Sequence, residues 1–218
     1  CRNVAVASCA LDSNTTGKEN QAIGYLSMCA NTEGGCNVAI GAALQSNTTG
    51  GNNVGIGFIA LSSNTTGACN IAVGRSALQE NTTASYNTAV GFNSLKTTIT
   101  GAANTAIGYR SLELTTGANN TGLGYEAGAA NAGGGSNTAV GKSALCKNTS
   151  GNSNTAVGTS ALFANTTAIE NTAVGASSLV SNTTGARHVA VGTCALFSNV
   201  NDNDNTGGQS MINQRVGM

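Results

Sequence analysis

Residues 154–167 read NTAVGTSALFANTT, and after three intervening residues 171–184 read NTAVGASSLVSNTT. The same phrase has returned after 17 residues, too short a distance for a second domain. Self-similarity at a fixed period is therefore traced along the whole chain before any element is assigned. Coils open at Asn3, Asn20, Asn37, Asn53, Asn70, Asn87, Asn104, Asn120, Asn137, Asn154, Asn171 and His188. Coils are 17 residues long except those opening at Asn37 and Asn104, which have 16. A thirteenth unit opens at Asn205 and quickly loses the pattern. The chain divides into one repeat domain over 1–204, twelve coils from Asn3, and a tail at 205–218 that is a partial thirteenth coil or a C-terminal cap or connection.

Numbered from its opening Asn, each coil follows N-T/V-A-V/I-G-x-x-A-L-x-x-N-T-T-G-x-x. Val, Ile and Thr cluster where strands are wanted, and Gly and Asn punctuate the turns. Every coil carries Gly, and none keeps apolar residues at helical spacing. The expected fold is all-β, a parallel β-solenoid or β-roll with one coil per repeat. At about 4.8 Å per coil, twelve coils make a rod roughly 58 Å long.

Stacking turns each position into a column. The Asn columns at positions 1 and 12 are expected to hydrogen-bond up and down the stack. Gly at positions 5 and 15 is expected to supply corners with φ > 0. The Leu column at position 9 and the Val/Ile column at position 4 are expected to form the core. Side chains alternate along a strand, so positions 2 and 4 share one face and Ala at position 3 takes the other. One apolar face then lines the coil and the other meets a partner, which points to self-association. In the alternative arrangement Ala is simply the tight inside of the coil.

The chain has 9 basic and 9 acidic residues, a net charge of zero and 4% aromatics. Such neutrality argues against nucleic acid, which needs a basic face. No apolar run is long enough to span a bilayer, and no signal peptide precedes Cys1, so the chain reads as a mature or internal piece of a longer protein. With little charge and no Pro, the composition fits an extracellular or cell-surface fibre better than an enzyme. Acidic residues form no column, and His188, the only histidine, sits in an Asn column. No catalytic, cofactor or metal site is expected. GIGFIA at 55–60 imitates a dinucleotide fingerprint, but its glycines are positions 3 and 5 of a coil.

Three sets of residues remain as candidates. Eight sequons, Asn14, Asn47, Asn64, Asn81, Asn119, Asn148, Asn165 and Asn182, would carry glycans if the source glycosylates Asn; otherwise NTT is turn and ladder chemistry. Position 6 carries Tyr25, Phe58, Arg75, Phe92, Tyr109, Tyr125 and Lys142, a stripe suited to glycans or a neighbouring chain. Cys9 and Cys194 share position 7 in the first and last coils and suit a bond between subunits stacked end to end, or coincide by chance.

NVAIG, NIAVG and HVAVG, each followed by Ala-Leu, resemble the head repeats of trimeric autotransporter adhesins. The longer NTAVGxSALxxNTTG is similar to repeats in phage tail fibres and large secreted bacterial proteins. The resemblance covers residues 3–204. It implies a left-handed parallel β-roll, side-by-side association of chains, and a surface that binds host matrix or other cells. The 17-residue period, longer than in those heads, and the seven cysteines depart from the adhesin pattern. The leading expectation is an adhesin head or fibre module. The alternatives are an end-to-end filament subunit, glycosylated or not, and an ice-binding solenoid. The last needs two outward Thr columns spaced by one residue, whereas the Thr columns at 13 and 14 are adjacent.

Overall fold

The computed structural model describes residues 2–200; the tail at 205–218 and Cys1 lie outside the described residues. Each coil contributes one three-residue strand: β1 (Val4–Val6), β2 (Gln21–Ile23), β3 (Val38–Ile40), β4 (Val54–Ile56), β5 (Ile71–Val73), β6 (Thr88–Val90), β7 (Thr105–Ile107), β8 (Thr121–Leu123), β9 (Thr138–Val140), β10 (Thr155–Val157), β11 (Thr172–Val174) and β12 (Val189–Val191). They form one twelve-stranded parallel sheet in sequence order. Register is column to column, as in Thr155↔Thr172 and Ala156↔Ala173, and the short coils keep it (Val38↔Val54, Thr105↔Thr121). The rest of each coil is turns, and no helix occurs among the described residues. The fold is a β-solenoid.

The inside of the coil corrects one expectation. The Leu column is buried, from Leu44 to Leu179, but its partner is the Ala column at position 3, with Ala22, Ala39, Ala89 and Ala156 fully covered. The Val/Ile column at position 4 lies outside: Val6 is 53% exposed and Ile107 45%. The coil is too thin for anything larger than a methyl at position 3. Even at Gly55, an added Cβ would stand 3.2 Å from the Ala43 Cβ and 3.3 Å from the Leu44 Cγ.

The glycine expectation holds at position 5 and fails at position 15. Gly74 and Gly91 have φ of 130° and 134°, and a Cβ on Gly74 would meet the Gly91 carbonyl oxygen at 2.6 Å. Gly74→Ala should therefore lower stability by about 2–4 kcal/mol, combining backbone strain with a forced separation of coils, measurable by chemical denaturation. Among the described residues position 15 has no left-handed φ; other left-handed residues include Cys9, Leu78 and Glu170, at positions 7, 9 and 17. Gly is used at position 15 for close approach: a Cβ on Gly50 would collide with the Gly67 carbonyl and the Asn47 amide oxygen.

Both Asn columns hold the stack together, in two different ways. At position 1 the backbone N–H donates to the amide oxygen of the preceding coil's Asn (Asn70 to Asn53, 3.0 Å). The same side chain ties its coil closed by donating Nδ2 to the position-15 carbonyl (Asn70 to Ala84, 2.8 Å). At position 12 the side chains bond directly to each other: Asn31 to Asn14 2.8 Å, Asn47 to Asn31 2.8 Å, Asn64 to Asn47 2.8 Å, Asn81 to Asn64 2.7 Å. Thr98 and Thr115 interrupt this ladder, which resumes at Asn131 and leaves the Asn81 Oδ1 unpaired. Where Ala168 replaces the glycine of position 15, the rung between Asn182 and Asn165 stretches to 3.3 Å. The core divides near the same place, one cluster ending at Leu112 and the next starting at Ala127, because Gly128 vacates the Leu column. Leu112 leans into the gap; a Cβ on Gly128 would lie 2.7 Å from its Cδ2.

Candidate interaction surface

Because Ala takes the inside, the outer face of the sheet carries positions 2 and 4 of all twelve strands. Position 2 is Val4, Val38, Val54, Ile71 or Val189 in five coils, Gln21 in one, and Thr from Thr88 to Thr172 in the other six. Position 4 is Val, Ile or Leu throughout. No charged residue occurs in either column. Two columns about 6.7 Å apart and about 53 Å long enclose a strip of roughly 350 Å² in projection. That is the size of the largest apolar patch on a typical soluble monomer, about 300–600 Å², which is often a functional surface.

The position-6 stripe borders this strip across the glycine corner. Phe92 stacks on Tyr109 at 5.5 Å and Tyr109 on Tyr125 at 5.1 Å, with ring planes within 12° of parallel. The Arg75 guanidinium lies between Phe58 and Phe92, 5.9 and 5.8 Å from their ring centres. Lys142 ends the run over Tyr125 at 6.0 Å. Six successive coils thus share one column of rings and cations, each contact contributing about 0.5–1 kcal/mol at an exposed site. A sugar binds to the face of a ring, and inside this column those faces are taken by neighbours. The column is exposed, and from Phe92 to Tyr125 it offers ring edges.

Beside it, Arg110 bridges coils seven and eight through Glu113 (2.5 Å) and Glu126 (3.2 Å). The Glu113 hydrogen bond holds the guanidinium above its ordinary pKa, and it pairs a half-exposed arginine with a buried carboxylate. The position of this cluster over the divided core was not legible from the sequence, since Arg110, Glu113 and Glu126 occupy variable columns.

The sequons fare differently from one another. Asn47, Asn64, Asn81, Asn148, Asn165 and Asn182 are fully buried. In each the amide nitrogen that would carry a sugar is a ladder donor, as in Asn165 to Asn148 at 2.8 Å. The folded coil has no room for a glycan at these six, which corrects the expectation there. Asn14 is half-buried in the first rung, and Asn119 is exposed.

Cys9 and Cys194 are both exposed thiols eleven coils apart, so no bond joins them within one chain; Cys36 and Cys69 are also free. Cys29 and Cys146 are half-buried, and burial pushes the Cys146 thiol up. His188 takes its Asn's place by backbone N–H donation to Asn171 (2.9 Å), but its buried Nδ1 has no partner. Among the described residues no cluster of His, Cys, Asp or Glu could hold a metal ion, and no helix is long and apolar enough to cross a membrane.

No family model, curated protein or solved structure matches this chain. The surface must speak through its own chemistry.

Proposed function

We propose that the chain is a structural module of an extracellular fibre or adhesin head, without catalytic activity, whose strip of positions 2 and 4 seats neighbouring copies. The observation that carries the reading is the unbroken aliphatic column of position 4, flanked by a charge-free position 2 of Val, Ile, Thr and one Gln, on the outside of a rod whose core is built almost wholly of Ala and Leu. Apolar side chains placed outside the coil contribute nothing to closing it, and burial against a second copy removes them from water. The low charge and the resemblance of the repeats to adhesin heads support an extracellular setting.

Sedimentation of the native protein at micromolar concentration tests this. Species larger than the 21.4 kDa chain are expected. Replacing Ile107 and Val174, both exposed members of position 4, with Glu should give a monomer that melts at nearly the same temperature. A stable 21.4 kDa species in the unmodified protein would overturn the reading.

One observation favours a second reading. From β6 to β11 the outward pair is Thr-x-Val, Thr-x-Ile or Thr-x-Leu in six successive coils, an in-register array of methyls and hydroxyls spaced by one residue. The adjacent Thr columns at 13 and 14 lack the spacing that ice requires, and this strip supplies it. Thermal hysteresis in dilute solution, lost in the Ile107→Glu, Val174→Glu variant, would favour ice over lateral assembly.

A further inference from the structure

The position-6 column contains one place where a member is missing. Phe58 has Arg75 over one of its ring faces, so its other face is turned toward coil three, where the column holds only Ala42. Beyond Ala42, one coil further, stands Tyr25. Two aromatic residues are thus two coils apart, about 9.6 Å by strand spacing, with a methyl between them. This repeats the spacing of Phe58 and Phe92, and there the intervening layer is a guanidinium. Tyr25 and Phe58 are also the two most exposed rings of the column, at 62% and 58%, against 39% for Phe92.

The backbone gives a second, independent sign. Along this column the carbonyl of position 6 accepts an N–H from position 7 of the next coil: Ser8 from Leu26, Ala42 from Ile59, Phe58 from Ser76, Arg75 from Asn93. Tyr25 has no such donor among the described residues. Coil three is short by one residue at this corner, and the N–H of Ala43 bonds back to Gly41 in its own coil at 2.9 Å. The Tyr25 carbonyl, which faces coil three along the stack like its equivalents, is therefore left without that donor.

We propose that the gap between Tyr25 and Phe58 is a binding slot for a guanidinium, the side chain of an arginine presented by a partner protein. A planar cation suits a layer between two rings two coils apart, and the column itself places its guanidinium, Arg75, in such a layer and its ammonium, Lys142, at an end. A guanidinium brings cation–π attraction to both rings and N–H donors in its own plane. The Tyr25 carbonyl accepts one of these donors. No carboxylate is required, so binding changes little with salt, unlike an ion pair.

The four phenylalanines make a fluorine label at Phe practical. In the full chain labelled with 4-fluorophenylalanine, N-acetyl-arginine amide should shift the Phe58 resonance saturably and leave the others in place. The Phe58 signal is assigned by its loss in Phe58→Leu. Tyr25→Ala, at an exposed ring, should weaken the response at least threefold. Ala42→Arg should fill the slot from within, move the Phe58 resonance without ligand and abolish the response. The proposal fails if no saturable shift occurs, if N-acetyl-lysine amide or the norleucine amide acts equally well, or if Ala42→Arg responds unchanged. Because the slot does not depend on lateral assembly, the Ile107→Glu, Val174→Glu protein should respond like the unmodified one. Loss of assembly with retention of this shift separates the two readings.

Discussion

Leu162→Asp should cost at least about 4 kcal/mol of stability, whereas Val174→Asp should cost less than about 1 kcal/mol. Both are aliphatic positions of the consensus, and the sequence alone would place both in the core. Leu162 is fully buried between Ala layers, so an aspartate there is an unpaired charge in a coil too thin to admit water. Val174 is 37% exposed on the outer strip, where a carboxylate stays hydrated. Denaturant midpoints of the two variants decide the matter. Equal losses would mean that position 4 is inside after all.

Asn64→Leu should destabilise by about 2–5 kcal/mol although the new side chain has nearly the same size. The side chain of Asn64 donates to the Asn47 Oδ1 at 2.8 Å and to the Gly67 carbonyl at 3.0 Å, and it accepts from Asn81 at 2.7 Å. Leucine leaves a buried acceptor on one neighbour and a buried proton on the other. Asn131→Leu should cost less, because the rung above Asn131 is already absent at Thr115. Similar losses at the two sites, measured by chemical denaturation, would show that the ladder acts only through local turn bonds.

The period, the parallel register and the strand at positions 2–4 were legible because a column constrains all coils at once, and a single deviant residue such as Ala7 cannot hide it. The inner face was not. Val at position 4 and Ala at position 3 are both apolar, and hydrophobicity ranks the larger one inside. The thickness of the coil decides, and thickness is set by how closely Leu44 and Gly55 approach, which no pattern states. Left-handed backbone at Leu78, Cys9 and Glu170 was equally hidden, since sequence rules give that conformation to Gly and Asn. The stripe at position 6 was visible as composition. Its self-stacking, and the gap at Ala42, follow only once a one-residue deletion is placed at a particular corner.

The interrupted Asn ladder and the vacancy at Gly128 give the rod unequal tensile strength along its length. Load applied along the axis is carried in parallel by strand hydrogen bonds, by the Asn rungs and by the interlocked Leu column. Between Asn81 and Asn131 the amide rungs are reduced to a single hydroxyl bond, Thr98 to the Thr115 carbonyl at 2.7 Å, and near Gly128 the column depends on one leaning leucine, with the Arg110 bridge as an outer tie. Under axial load on the solenoid, coils six to eight are therefore expected to open first, while the blocks on either side keep both ladder and core.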